Sequence, residues 1–174
     1  MIILITGATH TGKTLLAQRL LGKYSCPYLS IDHLKMGLIR SGYTNLTPED
    51  EEELTEYLWP VIREIVKTAI ENRQDLIVEG CYIPFRWRQD FDGQYAPFIR
   101  FICLAMSERY IGNHFGEIIG HESDIESRPA GADSTLMDAL KADNRRMIDG
   151  FREAGEEIVL IDDDYEGTIG KLLE

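Results

Sequence analysis

The stretch Gly7-Ala8-Thr9-His10-Thr11-Gly12-Lys13-Thr14 carries the most specific chemistry in the chain. It matches the spacing G-x-x-x-x-G-K-[ST] and lies between an apolar run, Ile2 to Ile5, and a helical pattern that begins at Leu15 and Leu16. With ordinary residue frequencies, a chain of this length meets the pattern by chance in about 0.6% of cases. Glycines at 7 and 12 permit backbone conformations and close approach that a side chain would block. Successive N–H groups can then converge on phosphate oxygens, reinforced by the positive end of the following helix. Lys13 adds a full charge at the β- and γ-phosphates, and Thr14 offers a hydroxyl to Mg²⁺. His10 fills a variable position and reads as a solvent-facing loop residue.

Two acids and several arginines extend the chemistry beyond phosphate binding. Asp32 follows the apolar run Tyr28 to Ile31, and Glu79 ends the run Leu76 to Val78 next to Gly80. In an open parallel sheet, ligands sit beyond the carboxyl ends of the strands. There Asp32 can accept a hydroxyl proton or hold a Mg²⁺-bound water, or else simply cap a helix beginning at His33. Glu79 reads as a Walker B acid, near Mg²⁺ through water, since that ion keeps several waters. Arg40, Arg86, Arg88, Arg128, Arg145 and Arg146 can fork onto phosphate or carboxylate oxygens. Arg128 and Arg145 are the expected nucleotide-facing pair, because closure over a triphosphate needs mobile positive charge. Arg40 and Arg86 are expected on the acceptor side with Asp32 and Glu79. The run Asp162-Asp163-Asp164 reads as a solvated strand exit.

The elements that must position these groups can be read from periodicity. Five short, nearly unbroken apolar runs, Ile2–Ile5, Tyr28–Ile31, Leu76–Val78, Phe98–Leu104 and Ile158–Ile161, suit strands covered on both faces. Between them lie helical patterns. Leu54, Leu58, Val61, Ile62, Ile65, Val66, Ala69 and Ile70 follow a spacing near 3.6. Thr47 is the expected cap of that helix, with Pro48 at its first position, Asp50 at the capping-box offset and a kink or short break near Trp59 imposed by Pro60. A later helix spans about 135–154 and stops at Gly155. Alternating strands and helices predict an α/β three-layer sandwich with right-handed crossovers in a single domain, 1–174. Residues 116–134, with Gly116, Gly120, Pro129 and Gly131, fit no element and are expected to form a lid.

Composition narrows the function classes. The chain has 174 residues, 18 Lys+Arg against 30 Asp+Glu, and a net charge of -12. That acidity argues against coating nucleic acid or anionic membrane. No apolar run is long enough to span a bilayer and no leader pattern is visible. The three cysteines form no C-x-x-C pair and read as reduced thiols of a cytoplasmic protein.

Taken together, the phosphate loop, Ser30-Ile31-Asp32, Val78-Glu79-Gly80 and the lid-like segment before a long helix resemble the P-loop small-molecule and nucleotide kinases. That group includes adenylate, shikimate and gluconate kinases, chloramphenicol phosphotransferase and zeta toxins. The resemblance implies a P-loop NTPase fold with a five-stranded parallel sheet of order 2-3-1-4-5, ATP and Mg²⁺ as donor, and an acceptor site at Asp32. Glu79-Gly80-Cys81-Tyr82-Ile83-Pro84 departs from the Asp-Gly-Phe-Pro-Arg signature of adenylate-type kinases and from the glycine triplet of shikimate kinases. The expected activity is transfer of the γ-phosphoryl group to a hydroxyl or phosphate of a small metabolite. A nucleotide or nucleotide-sugar acceptor, as in zeta toxins, and an ATP-binding regulatory NTPase without acceptor are the alternatives.

Overall fold

A computed structural model describes residues 1–120 and 134–173. Five strands form one sheet: β1 (Ile2–Gly7), β2 (Tyr28–Ser30), β3 (Leu76–Glu79), β4 (Ile99–Met106) and β5 (Ile158–Ile161). All pairings are parallel, in the expected order β2-β3-β1-β4-β5. In register, Ile5 on β1 and Ser30 on β2 both pair with Glu79 on β3. The three strand ends therefore stop at one level, which brings the phosphate loop, Asp32 and Glu79 to the same edge of the sheet.

Among the described residues six α-helices accompany the sheet: α1 (Lys13–Tyr24), α2 (Ile31–Arg40), α3 (Glu51–Glu71), α4 (Glu108–Gly120), α5 (Ser134–Glu153) and α6 (Tyr165–Leu172). Alternate residues of β1 serve opposite layers. Ile2 and Leu4 pack with Leu58 and Ile62 of α3 and Phe151 of α5. Ile3 and Ile5 pack with Leu16 and Leu20 of α1 and Ile169 of α6. Burial on both faces is why β1 reads as an unbroken apolar run. A smaller cluster joins Ile111 and Ile118 of α4, Leu140 of α5 and Ile161 of β5.

Several expected boundaries shift. Residue Asp50, not Thr47, stands at the N-cap of α3, and its Oδ2 accepts from the Thr47 N–H (2.7 Å) and hydroxyl (2.9 Å). The acid thus closes the turn before the helix, and Pro48 lies outside it. Nor does Pro60 break α3, which runs continuously through it. Pro60 and Glu56, the residue whose carbonyl loses its amide partner, are both exposed, while Leu58, Trp59 and Ile62 hold the inner face in the core. Residues 116–120 of the expected lid belong to α4, and residue 134 opens α5. The rest of that segment, with Arg128, lies outside the described residues. The later helix ends as expected, with Gly155 at φ +83°.

Candidate nucleotide and acceptor site

The phosphate loop joins β1 to α1, and its two glycines are required by space as well as by backbone angle. Gly7 has φ +138°, and a Cβ there would stand 2.0 Å from the Leu104 carbonyl oxygen of β4. Gly12, the N-cap of α1, has φ +79°, and a Cβ there would stand 1.8 Å from the Tyr165 hydroxyl. The loop is braced internally. The Ala8 N–H donates to Leu104 O (3.2 Å), the buried Thr11 hydroxyl donates to Ala8 O (2.8 Å), and Lys13 Nζ donates to the same carbonyl (2.7 Å). His10 is half-buried rather than solvent-facing, at φ +62°, with Nδ1 3.0 Å from the Thr9 hydroxyl. The turn of the loop draws its ring inward.

Beside the loop, Thr14 Oγ1 donates to Glu79 Oε1 (3.3 Å), and the Tyr28 hydroxyl donates to Glu79 Oε2 (3.0 Å). Glu79 is only 2% exposed, so these bonds matter for a carboxylate that water barely reaches. A hydroxyl and a carboxylate at the base of the loop fit Mg²⁺, which takes one or two protein oxygens and keeps its waters. Among the described residues no cluster of three or more His, Cys, Asp or Glu could hold a metal by itself.

Asp32 lies in the first turn of α2, and the cap is Ser30, whose Oγ accepts from the His33 N–H (3.4 Å). Asp32 is therefore not spent on capping. Its Oδ1 accepts from Lys35 Nζ at 2.6 Å, and Lys35 also donates to the Tyr82 hydroxyl at 2.8 Å. Lys35 is 8% exposed. Burial works against its charge, yet the hydrogen bonds to Asp32 and Tyr82 outweigh burial and hold the ammonium above the ordinary lysine range. Burial pushes Tyr82 up to about 12 and Cys81 up to about 11, so both stay protonated at neutral pH.

These groups face one cavity of about 950 Å³. Loop residues Gly7, Thr9, His10, Gly12, Lys13 and Thr14 line it together with Asp32, Arg40 and Glu79. A second groove of about 1000 Å³ lies at the amino ends of β2 and β3 and touches none of these residues. The remaining arginines divide. Arg86 is exposed before a 3₁₀ turn and does not line the cavity. Arg145 also lies off the cavity and pairs with Glu108 on the surface. Its neighbour Arg146 does line it and pairs with Asp143 at 2.9 Å. Arg88 is bound through two 2.7 Å bonds to the buried Glu156, a structural pair. Arg109 pairs with Asp162 and Asp163 at the β5 exit.

Lys35, Tyr82, Asp143 and Arg146 also line the cavity but belong to no motif. A weak signal exists for two of them. Asp143 lies three residues after Leu140 and four before Met147, a charged residue on the apolar stripe of α5. Lys35 stands likewise four residues after the buried Ile31.

No protein-family model matches the chain, and no curated protein matches its sequence significantly. Solved structures do match over nearly the whole length. Shikimate kinase from Bacteroides thetaiotaomicron aligns over 99% of this chain and 95% of its own, at 14% identity and TM-score 0.61. A sugar kinase from Janibacter sp. HTCC2649 aligns over 99% and 91%, at 15% identity and TM-score 0.56. A gluconokinase from Sinorhizobium meliloti 1021 aligns over 98% and 88%, at 14% identity and TM-score 0.51. At such identities the likeness is one of fold, and the fold is that of the P-loop small-molecule kinases.

Proposed function

We propose that the chain is an ATP-dependent phosphotransferase that moves the γ-phosphoryl group to a hydroxyl of a small metabolite. One observation carries this reading: Lys13, the Thr14–Glu79 pair and Asp32 line the same cavity, where the first three would serve the donor and the fourth the acceptor. Loop amides and Lys13 would bind the phosphates and stabilise charge that develops on them during transfer. Thr14 and Glu79 would hold Mg²⁺, which supplies charge neutralisation between the phosphates. Lys35 ties Asp32 Oδ1, which leaves Oδ2 for the acceptor. The acceptor oxygen forms a bond to the γ-phosphorus as the bond to the β–γ bridging oxygen breaks. ADP leaves with that oxygen, and the hydroxyl proton passes to Asp32. Arg40 lines the same cavity from the end of α2 and pairs with no acid among the described residues, which suits an anionic group on the acceptor.

The test is a panel of hydroxylated metabolites, nucleotides and nucleotide sugars incubated with ATP and Mg²⁺, read by mass spectrometry of phosphorylated product. Lys13→Ala should remove both ATP binding and turnover. Asp32→Asn should remove transfer and leave ATP affinity within about twofold, since Asp32 acts on the acceptor. Full transfer by Asp32→Asn would sink the acceptor-side assignment. ATP binding without product from any acceptor would favour a regulatory NTPase.

A further inference from the structure

The phosphate loop already holds an oxygen anion of the protein's own. The Thr9 N–H, on the third residue of the loop, donates to Asp143 Oδ2 at 2.8 Å. Thr9 and Asp143 both line the cavity, so this amide is aimed into the space where phosphates are expected. Asp143 Oδ1 accepts from Arg146 Nη2 at 2.9 Å. Arg146 in turn reaches to 3.8 Å from Glu51 Oε2 at the start of α3. The Asp143 side chain is 24% exposed, part-buried at a site that favours anions. A carboxylate bridging a loop amide and an arginine offers the same two contacts that a phosphate oxygen pair would seek.

Resting on the reading that this loop binds a nucleotide, we propose that Asp143 is a specificity-determining residue of the donor site. Its carboxylate holds the Thr9 amide until the terminal phosphate of a triphosphate takes its place. Without nucleotide, the contact keeps a half-buried N–H paired and the loop in its open-handed shape. With a triphosphate, carboxylate and terminal phosphate compete for one N–H, and their like charges repel across a part-buried gap. Asp143 then turns wholly to Arg146. A diphosphate ends one phosphate short and leaves the Thr9 amide to Asp143. The residue therefore weakens triphosphate binding and leaves diphosphate binding unchanged.

The experiment compares wild type, Asp143→Asn and Asp143→Ala by calorimetric titration with ATP, its non-hydrolysable imido analogue and ADP, at low ionic strength. Asp143→Ala should bind both triphosphates about tenfold more tightly, the effect of removing one close like charge, with ADP affinity within about twofold. Asp143→Asn keeps the shape and an amide-accepting oxygen, so it guards against misfolding and should show a smaller gain of the same sign. The Thr9 amide resonance provides a second readout. In wild type it should move on adding the imido analogue and stay in place on adding ADP. Triphosphate affinity that is unchanged or weaker in both variants would overturn the inference and make Asp143 a strut of the loop. A wild-type protein that binds neither nucleotide would overturn the nucleotide reading as well; triphosphate binding with an unaltered ATP-to-ADP ratio would overturn this inference alone.

Discussion

Replacing Lys35 with methionine removes the buried ammonium beside Asp32. Methionine retains most of the apolar stem that Lys35 lays into the core, so the change removes charge more than volume. Two partners lose a donor: Asp32 Oδ1 at 2.6 Å and the Tyr82 hydroxyl at 2.8 Å. Orphaning a fully buried ionic partner costs about 3–5 kcal/mol, whereas exposed pairs contribute about 0–1 kcal/mol. The Lys35 and Asp32 side chains are 10% and 26% exposed, so water can reach the abandoned carboxylate and the cost should fall between, at about 2 kcal/mol. For a chain of this length that is about 4–8 °C in Tm. The pH dependence has a definite sign. Lys35 gains its partners on folding, so its folded pKa lies above the unfolded value of about 10.4. Its contribution is whole below about pH 10.4 and is lost as pH rises through the higher folded value. The stability gap between wild type and Lys35→Met should therefore be flat from about pH 7 to 9.5 and narrow in stronger alkali. Urea unfolding followed by circular dichroism measures this gap directly. The acceptor KM and kcat should worsen together while ATP affinity holds, because Asp32 is freed to adopt unproductive rotamers, and Lys35→Arg should restore part of the loss. Equal stability of variant and wild type, or a gap that widens above about pH 10.4, would refute the argument.

Two further outcomes follow from the donor side. Gly12→Ala places a Cβ 1.8 Å from the Tyr165 hydroxyl at a φ of +79°, so it should cost about 2–3 kcal/mol and ATP binding. Adding Tyr165→Phe should recover part of that loss, and a double-mutant cycle with no coupling would show that the clash is not the cause. Glu79→Gln keeps the shape beside Thr14 and removes the charge, so the Mg²⁺ concentration for half-maximal activity should rise about fivefold or more. An unchanged Mg²⁺ requirement would take Glu79 out of the metal site.

Much of the architecture was legible because its causes are local or periodic. The unbroken run Ile2 to Ile5 marked a strand buried on both faces, and the sheet order agrees with the expectation. Helix ends were harder. Thr47 and Asp50 do form a reciprocal turn, but the helix begins after it, and only the packing of Leu54 and Leu58 sets where the first buried turn can start. Pro60 leads to the expectation of a kink or short break because the residue type alone forbids one helical hydrogen bond, whereas the helix docked through Leu58, Trp59 and Ile62 runs on past it. α4 and α6 carried no motif, and their glycines masked short amphipathic patterns.

The site divides along the same line. The place of Lys13, Thr14 and the two glycines, between a strand and a helix N-terminus, was legible from sequence alone, since those elements are adjacent in the chain. Arg145 and Arg146 could not be separated that way: they differ by about 100° of helix rotation, and the packing of Leu140, Met147 and Phe151 turns Arg146 toward the cavity and Arg145 toward Glu108. The partnership of Lys35 with Tyr82 spans 47 positions and that of Thr9 with Asp143 spans 134. Contacts at such separations exist only once the sheet has set its strand ends level and the helices have docked on it. Sequence specified a glycine-bearing loop between a buried strand and a helix, and the tertiary fold decided which carboxylates and cations would stand around it.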